Sequence, residues 1–495
     1  MARQSKNKSL KREEVALSKA RKRLFLIPIL ALAIKVLILF RIQGVSFSVP
    51  DSTGLGSSLT NLLNSNLWPA HIWFGADGEN YLRSLSELLA GGFLSAGGNL
   101  SYWPAGYPLM LWPLILISKS LFFSILGFAQ SVLYAISCAY FVDELKLSRL
   151  SKFALPVALI LTLNPTLALN TIAIGYELPA VSFLLISIAA MLRSLRVKRT
   201  AIFSSELLIA SISLLFASLM QPRLLIIAVS ILFIWGIAIY SPRRLALFLS
   251  ISIAVVAIAP ATLILRNYRA NGYFAMSTNL GTTMNIGAGP NSTGGYTNKA
   301  TGVDCPNNED DAASRDAATV RCVLKWYLKN PTSSLKLAWN KSLYFWSPWF
   351  GPVANGTMAR NPWRTIHPLA ETIKSESGYK MVFGSSGKFI SWTWVIFTLF
   401  TLFYGFVILW QAGNAERVLS LVALVTVILN WISSIATIGD NRFRIPTMGI
   451  SLFLQTVGFV GLFLKRRRRF SGIPTPITWR GIYWKAPSQP DNLPS

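Results

Sequence analysis

The chain has 495 residues, of which 52% are hydrophobic and 14% are charged, and its mean hydropathy is +0.47. Several apolar stretches are long enough to cross a hydrocarbon core of about 30 Å, which excludes a soluble single-domain protein. The net charge of +27 comes from Lys and Arg in short loops between these stretches and at both chain ends. That distribution follows the positive-inside rule and argues against a nucleic-acid partner.

The N-terminal part of the chain predicts a cytoplasmic tail followed by a membrane anchor. Residues 1–23 are polar and basic, and the apolar stretch at about 24–42 is too long for a signal-peptide core. The next apolar region, 106–143, is interrupted by Lys119 and Ser120. The charge rule favours one span near 122–143, with the residues before it lying along the interface or dipping into the membrane.

The remaining apolar stretches complete an all-α polytopic protein of the cytoplasmic membrane, with about ten transmembrane helices and both termini in the cytoplasm. The further spans lie near 153–172, 177–192, 203–220, 224–240, 246–264, 389–410, 418–437 and 445–464. The pattern divides the chain into a tail at 1–23, a transmembrane region at 24–264 with a first extracytoplasmic loop at 43–121, an extracytoplasmic segment at 265–388, transmembrane helices at 389–464 and a basic cytoplasmic tail at 465–495. The segment 265–388 is too long for a turn and should form a small ordered subdomain.

The cysteine and histidine content limits which disulfides and metal sites the chain can form. Cys305 and Cys322 share the second extracytoplasmic segment, where they either form a disulfide or remain two free thiols. The chain has 2 histidines, which excludes a multi-histidine metal site within it. No ligand spacing indicates a cofactor or a divalent metal ion, although acidic residues leave the latter open.

Two acidic residues, Asp77 and Glu177, are candidates for proton transfer or ligand binding at the extracytoplasmic face. Asp77 precedes an amphipathic pattern with Tyr81 on its apolar face, so it either caps a helix or takes a proton from an acceptor hydroxyl. Glu79 lies in the same loop, where the amphipathic pattern favours a solvated helix charge. Glu177 lies between two apolar spans, where it is either solvated or faces the same cavity from a helix N-terminus.

Polar and aromatic residues of the outer loops are candidates for a substrate pocket. Trp103 and Tyr107 belong to a rigid aromatic turn, which suits either an interfacial aromatic belt or a wall against a lipid chain or sugar ring. Three outer turns carry arginines against the charge bias, which indicates a phosphate partner or, alternatively, local pairing with Asp440 and lipid headgroups. These arginines are Arg223, Arg266, Arg269, Arg442 and Arg444. Asn267 and Asn279 flank a Gly-, Asn- and Thr-rich stretch that suits a polar phosphorylated ligand better than packing.

The order of these features resembles the GT-C superfamily of polyprenyl-phosphate-sugar glycosyltransferases, and within it the protein-mannosyltransferase-like (family 39) bacterial branch. The resembling runs are DGENYLRSLSELLAGGF at 77–93, PAGYPL at 104–109, NP at 164–165, QPR at 221–223, the RNY…STN…GAGP…GG run at 266–295 and GDNRFRIP at 439–446. Each run alone is weakly specific, but together they cover most of the chain in a matching order.

The resemblance implies a donor sugar on a polyprenyl phosphate, bound from the extracytoplasmic side, and a catalytic carboxylate at the position of Asp77. Many relatives carry two adjacent acidic residues where this chain has Asp77, Gly78 and Glu79, so either acid could be the base. Asp51, nearer the end of the first span, is a further candidate. Glu177 matches the second acidic position. The acceptor could be a glycan, a lipid or a protein. Two other readings remain: a transporter or flippase of lipid-linked sugars, and an inactive scaffold of the same fold.

Overall fold

In the computed structural model, the described residues are 73–74, 77–171, 173–197, 204–296, 302–305, 309–347 and 384–465. Asp51, the predicted tail at 1–23 and the predicted anchor at 24–42 lie outside these residues, as does the C-terminal tail after residue 465.

The described chain is almost entirely helical, with two short strands. The first part contains β1 Trp73–Phe74, α1 Gly78–Gly91, α2 Gly98–Tyr102, α3 Gly106–Ile117, α4 Phe122–Leu147, α5 Ser151–Leu163, α6 Pro165–Asn170 and β2 Ala173–Ile174. The middle part contains α7 Glu177–Val197, α8 Ser205–Met220, α9 Leu224–Ile239, α10 Pro242–Asn271, α11 Leu280–Ile286, α12 Ala312–Lys329 and α13 Pro331–Trp346. The last part contains α14 Ser385–Ala412, α15 Asn414–Ala436, a 3₁₀ turn at Asn441–Arg444 and α16 Ile445–Lys465.

Six of the described helices are long and apolar enough to cross a membrane, which makes this a multi-pass α-helical membrane protein. They are α4, α7, α10, α14, α15 and α16 together with the turn before it. Four shorter apolar helices, α3, α5, α8 and α9, accompany them. The predicted total of about ten crossings is therefore not confirmed, because three predicted spans correspond to helices shorter than the bilayer requires.

The predicted span at 153–172 differs most clearly from the structure. Helix α5 ends at Leu163, because Pro165 has no amide hydrogen and restricts the residue before it. The side chain of Asn164 accepts a hydrogen bond from the amide of Leu167 at 3.1 Å, which caps the short helix α6. The chain then reaches β2 rather than continuing through the bilayer.

Close backbone contacts hold the membrane helices together. A Cβ atom at Gly405 of α14 would lie 2.0 Å from the carbonyl oxygen of Leu454 on α16, and one at Gly458 of α16 would lie 1.9 Å from that of Thr401. Small residues at such crossings allow helices to approach where burial from water cannot drive their association. The long helices therefore form a closely packed frame for the loops at their ends.

The segment after α10 forms a small helical unit. The predicted boundary at 265 is early, because α10 continues to Asn271 and ends with Gly272 in the left-handed conformation at φ 80°. Helices α11, α12 and α13 follow. A disulfide joins Cys305 to Cys322, and Val323 packs against Met284 beside it.

The helix connections divide into two ends. At one end, Arg193 of α7 lies 3.4 Å from Glu206 of α8, and basic residues stand in or next to the α4–α5 and α9–α10 connections, at Arg149, Arg243 and Arg244. At the other end lie β1, β2, the α8–α9 turn and the α15–α16 turn. The predicted site residues with described side chains belong to this second end.

Candidate functional site

The two short strands bring the candidate carboxylates close together. Strands β1 and β2 pair in parallel with Phe74 opposite Ile174, so Asp77 and Glu177 each follow the last paired residue by three positions. Paired strands are about 4.8 Å apart. Each carboxylate also stands where a helix begins, α1 at Gly78 and α7 at Glu177 itself. The partial positive charge of both helix N-termini therefore favours two negative groups here.

Asp77 is paired with an arginine from the far end of the chain. Its side chain makes no capping hydrogen bond to α1 among the described residues. Instead its Oδ2 lies 2.7 Å from Nη1 of Arg442. The two residues are 8% and 9% exposed, so this ion pair is largely shielded from water. The carboxylate is thus held at the site rather than used as a helix cap.

Glu177 is more deeply buried than Asp77, and no other described residue donates a hydrogen bond to its carboxylate. It is 1% exposed, and neither of its carboxylate oxygens accepts a hydrogen bond from any described residue. The charged groups near it are Arg442, Asp77 and Arg223. Burial of a carboxylate without hydrogen bonds is costly, so both oxygens are available to a polar ligand that donates to them.

Arg223 is the second guanidinium of the site. It follows the tight α8–α9 turn, and its Nη2 donates to the hydroxyl of Tyr176 at 3.1 Å. Its guanidinium lies 4.2 Å from the centre of the Phe443 ring, and its Nε has no hydrogen-bond partner among the described residues. Burial raises the pKa of Tyr176 to about 12, so this phenol stays neutral and can accept the hydrogen bond.

The 3₁₀ turn adds further buried polar atoms. The carboxylate of Asp440 accepts from the backbone amide of Arg442 at 2.9 Å, which fixes the turn. Asn441 is 3% exposed. Within the described residues, neither polar atom of its side chain has a hydrogen-bond partner, and the same holds for Nε of Arg442. Such a concentration of unsatisfied buried polar atoms is unusual in a folded protein and indicates a place that binds a ligand or water.

Aromatic side chains form one wall beside the carboxylates. The Tyr81 ring meets the rings of Trp103, Tyr107 and Tyr176 edge-on at centroid distances of 6.2, 5.1 and 6.4 Å. The Tyr107 hydroxyl donates to Gln130 at 3.1 Å and accepts from the amide of Gly175 at 3.0 Å. Burial raises the pKa of Tyr81, which keeps its hydroxyl neutral. This wall fixes the chain just before Glu177.

Arg266 and Asn267 lie elsewhere. Arg266 is buried and donates to the carbonyls of Phe93 and Ser95 and to the side chain of Asn267. These carbonyls follow the C-terminal end of α1, whereas Asp77 precedes its first residue. Helix α1 has 14 residues, and a helix of that length spans about 21 Å. The structure therefore does not bring Arg266 together with Asp77. The guanidinium of Arg266 already donates to acceptors within the protein.

The other predicted binding residues are also dispersed. Arg269 is exposed near the end of α10. Arg444 donates to the carbonyls of Trp346 and Ser347 at 3.2 and 2.9 Å, which ties the 3₁₀ turn to the end of α13. Asn279 accepts from Ser277 at the start of α11. The side chain of Glu79 lies outside the described residues.

The glycine-rich stretch packs, contrary to the expectation that it only serves a ligand. A Cβ atom at Gly287 would lie 2.2 Å from the carbonyl oxygen of Thr437. Gly439 donates its amide to the carbonyl of Gly294 at 2.8 Å, and Gly294 has a φ of 88° that a side chain rarely adopts. The stretch therefore supports the turn that carries Arg442.

Lys341 supports the same turn, and sequence reasoning missed it. This lysine is 1% exposed. Its Nζ donates to the carbonyls of Ile435 and Thr437 at 3.0 and 2.6 Å and to the hydroxyl of Tyr327 at 2.8 Å. A single Lys in an amphipathic helix is ordinarily a solvated charge, and no spacing in the sequence distinguishes Lys341 from its exposed neighbour Lys336.

The fold and the site define a multi-pass α-helical membrane protein with a buried carboxylate–guanidinium cluster at one end of its helices. Among the described residues, no group of three or more His, Cys, Asp or Glu side chains could hold a metal ion.

No family model and no curated protein matches the chain. It is similar to the crystal structure of the Archaeoglobus fulgidus oligosaccharyltransferase in the apo form, with 11% identity and a TM-score of 0.44 over 88% of this chain and 51% of that one. It is also similar to the oligosaccharyltransferase AglB of that organism in complex with an inhibitory peptide and a dolichol-phosphate, with 10% identity and a TM-score of 0.43 over 88% of this chain and 50% of that one. The chain spans about half the length of these structures.

Proposed function

We propose that this protein is a membrane glycosyltransferase that moves a sugar from a polyprenyl-phosphate donor to an extracytoplasmic acceptor hydroxyl. The observation that carries the proposal is the Asp77–Arg442 pair at 2.7 Å, which lies beside the buried carboxylate of Glu177 and the partly buried guanidinium of Arg223. Both oxygens of Glu177 and Nε of Arg223 have no hydrogen-bond partner among the described residues. The motif resemblance at 77–93, 221–223 and 439–446 agrees with it, because those runs supply these residues.

Arg442 and Arg223 are the proposed donor-phosphate ligands. A guanidinium can hold two phosphate oxygens at once, and its charge stabilises the phosphate as it leaves the sugar. In each of these arginines Nε is unpaired among the described residues. A bound phosphate would compete with Asp77 for Arg442, so donor binding would release the carboxylate from its ion pair.

The released Asp77 is the proposed general base. The acceptor hydroxyl is a weak nucleophile until a base within hydrogen-bond reach takes its proton. In the proposed step the acceptor oxygen forms a bond to the anomeric carbon while the bond from that carbon to the phosphate oxygen breaks. The proton goes to Asp77 and the bonding electrons go to the phosphate. A single displacement of this kind inverts the anomeric configuration.

Glu177 has a separate proposed role. Its position at the first residue of α7 and its unpaired oxygens suit a hydrogen-bond acceptor for sugar or acceptor hydroxyls. Its negative charge also balances the second guanidinium when the phosphate is absent. Replacement of Glu177 by Gln should therefore weaken substrate use without removing the base.

The placement of the charges favours this function over a transporter. Transporters of lipid-linked substrates generally place their binding groups at broken helices near the bilayer midplane. Here Asp77 precedes α1, Glu177 begins α7, and Arg442 lies in the turn before α16. Groups at helix ends suit a donor whose lipid tail stays in the bilayer while its sugar meets the acceptor at the surface.

The test compares carboxamide variants of Asp77 and Glu79, the two acids that the motif allows as the general base. Full-length protein, Asp77→Asn and Glu79→Gln are reconstituted with polyprenyl-phosphate sugars, and release of the sugar is measured. Loss of a general base lowers turnover by about 10²–10⁴-fold, which we expect for Asp77→Asn alone. Glu309→Gln, an exposed acid of the second segment, is the matched control.

The outcomes separate the alternatives. Full turnover in Asp77→Asn would remove this residue from catalysis, and a selective loss in Glu79→Gln would move the base to that position. Movement of the intact lipid-linked sugar across the bilayer without transfer would favour a flippase. A panel of mannose, glucose and arabinose donors then identifies the sugar, which pocket shape determines.

A further inference from the structure

Helices α12 and α13 form a hairpin that exposes large apolar side chains outside the candidate membrane spans. Asn330 joins the two helices. On α12, Leu324 is 48% exposed and Leu328 is 84% exposed; on α13, Leu335 is 73% exposed and Trp339 is 67% exposed. We refer to these four side chains as the hairpin surface. Such a concentration of exposed apolar groups on a folded unit marks an interaction site.

The four side chains form one stripe on each helix, directed away from the protein. Residues four apart in a helix share a face, which applies to Leu324 with Leu328 and to Leu335 with Trp339. The opposite face of α13 holds the buried residues Leu337, Lys341 and Phe345. Lys341 contacts Tyr327 of α12 at 2.8 Å, so the inner faces of the two helices meet there and both exposed stripes lie outside.

The charge around the hairpin surface has one sign. Exposed basic residues adjoin the stripes: Arg321, Lys325 and Lys329 on α12 and Lys336 on α13. The acidic residue within these two helices is Asp316, which is two turns away from Leu324 and accepts from the amide of Gly281 at 2.6 Å. Basic residues beside an apolar stripe are typical of helices that lie in a membrane interface and bind anionic lipids.

The hairpin also reaches the level of the bilayer. Trp431 lies inside the membrane helix α15, about one turn and a half before its end at Ala436. Its indole donates to Ser342 of α13 at 3.1 Å, and its ring centre is 6.1 Å from that of Trp346. The C-terminal half of α13 therefore descends beside a membrane helix, and Trp339 lies one turn above that contact.

We infer that the hairpin surface docks on the lipid leaflet that faces the candidate site. Leu324, Leu328, Leu335 and Trp339 enter the interface between headgroups and acyl chains. The adjoining Lys and Arg side chains bind anionic headgroups. The lipid leaflet is the occupant that both the basic charge and the contact of α13 with a membrane helix favour.

The experiment measures lipid contact at a single labelled position of the full chain. Leu335→Cys, labelled with an environment-sensitive fluorophore without reductant, is placed in nanodiscs of phosphatidylcholine with a minority of phosphatidylglycerol. Quenching by lipids that carry a nitroxide near the headgroup end of the acyl chain is recorded. Arg315→Cys, an exposed position of α12 about nine residues before Leu324, is the matched control, and Trp339→Cys is a second site on the surface.

We expect several-fold stronger quenching at positions 335 and 339 than at position 315. Adding Lys325→Glu and Lys329→Glu should reduce the quenching at 335 in the anionic nanodiscs. Equal quenching at 315 and 335 would overturn the inference. Cross-linking between two copies through position 335, without lipid quenching, would also overturn it and would make the surface a protein interface.

Discussion

The carboxylate of Asp77 and the guanidinium of Arg442 come from opposite parts of the described chain and meet at 2.7 Å. Three independent elements set this contact. Strand pairing places Asp77 beside Glu177, the carboxylate of Asp440 fixes the amide of Arg442, and the buried amine of Lys341 holds the carbonyl of Thr437 two residues before Gly439. The ion pair is therefore part of the tertiary structure as well as of the proposed chemistry.

Removal of one partner of this pair should destabilise the protein strongly. In Arg442→Met the carboxylate of Asp77 remains buried without its counter-charge, and such single removals cost about 3–5 kcal/mol. The double variant Asp77→Asn with Arg442→Met removes both charges and should recover part of that loss. Thermal unfolding in detergent measures Arg442→Met, Asp77→Asn and the double variant against the wild type.

A coupling energy near zero between the two substitutions would contradict a direct interaction between the side chains. Contacting charged residues typically show coupling of about 0.5–3 kcal/mol in such cycles. Replacement of Asp310, an exposed acid remote from Arg442 in the chain, is the control and should show no coupling with Arg442→Met.

Arg266 and Arg223 should respond differently to substitution. Arg266 donates to Asn267 and to the carbonyls of Phe93 and Ser95, and hydrogen bonds of charged groups contribute about 1.5–3 kcal/mol each. Arg266→Met should therefore lower the unfolding temperature while KM for the donor in the remaining folded enzyme stays constant.

Arg223→Lys should show the reverse pattern, since a lysine keeps the charge but cannot hold two phosphate oxygens. We expect an increase of KM for the lipid-phosphate donor and a smaller change in unfolding temperature. Steady-state kinetics at varied donor concentration checks both variants. A raised KM in Arg266→Met with unchanged stability would assign the phosphate to Arg266 instead.

Lys341 should make stability depend on pH. Burial lowers the pKa of Lys341 from its ordinary value of 10.5 to about 7. Between these two values the unfolded chain binds a proton that the folded chain does not, so stability rises with pH by up to about 1.4 kcal/mol per pH unit. Below pH 7 both states are protonated and the full cost of burying the ammonium persists.

Substitution of Lys341 tests this dependence. Lys341→Met should flatten the rise in unfolding temperature above pH 7, whereas Lys336→Met, on the exposed side of the same helix, should leave it unchanged. After deprotonation, two N–H groups remain for the carbonyls of Ile435 and Thr437, so the neutral amine still supports the turn. An unchanged slope in Lys341→Met would mean that another group titrates.

Local patterns in the sequence predicted the elements but not the contacts between them. The amphipathic pattern after Asp77 and the apolar runs of α7, α10 and α16 were readable because they depend on neighbouring residues. The pairing of β1 with β2 is not readable from the sequence, because each strand has only two residues. Asn441 and Lys341 were missed because their burial depends on elements distant in sequence. The sequence does not distinguish Arg266 from Arg442, because an arginine next to a membrane span gives the same pattern whether it binds a ligand or a backbone carbonyl.

The Cys305–Cys322 disulfide closes a loop with a sequence separation of 17 residues, and bonds that close such loops contribute about 3 kcal/mol. Replacing both cysteines by Ser should therefore speed tryptic cleavage of α12 at Arg315 and Arg321, while Cys138→Ser, in α4, should not.

The same cysteines report on which side of the membrane the segment lies. If the segment faces the extracytoplasmic side, a membrane-impermeant maleimide will label Cys305 and Cys322 in intact cells only after an impermeant reductant is added. Labelling without reductant would show free thiols. Protection after reduction, with labelling only in lysed cells, would place the segment and the site beside it in the cytoplasm, where the proposed donor geometry does not apply.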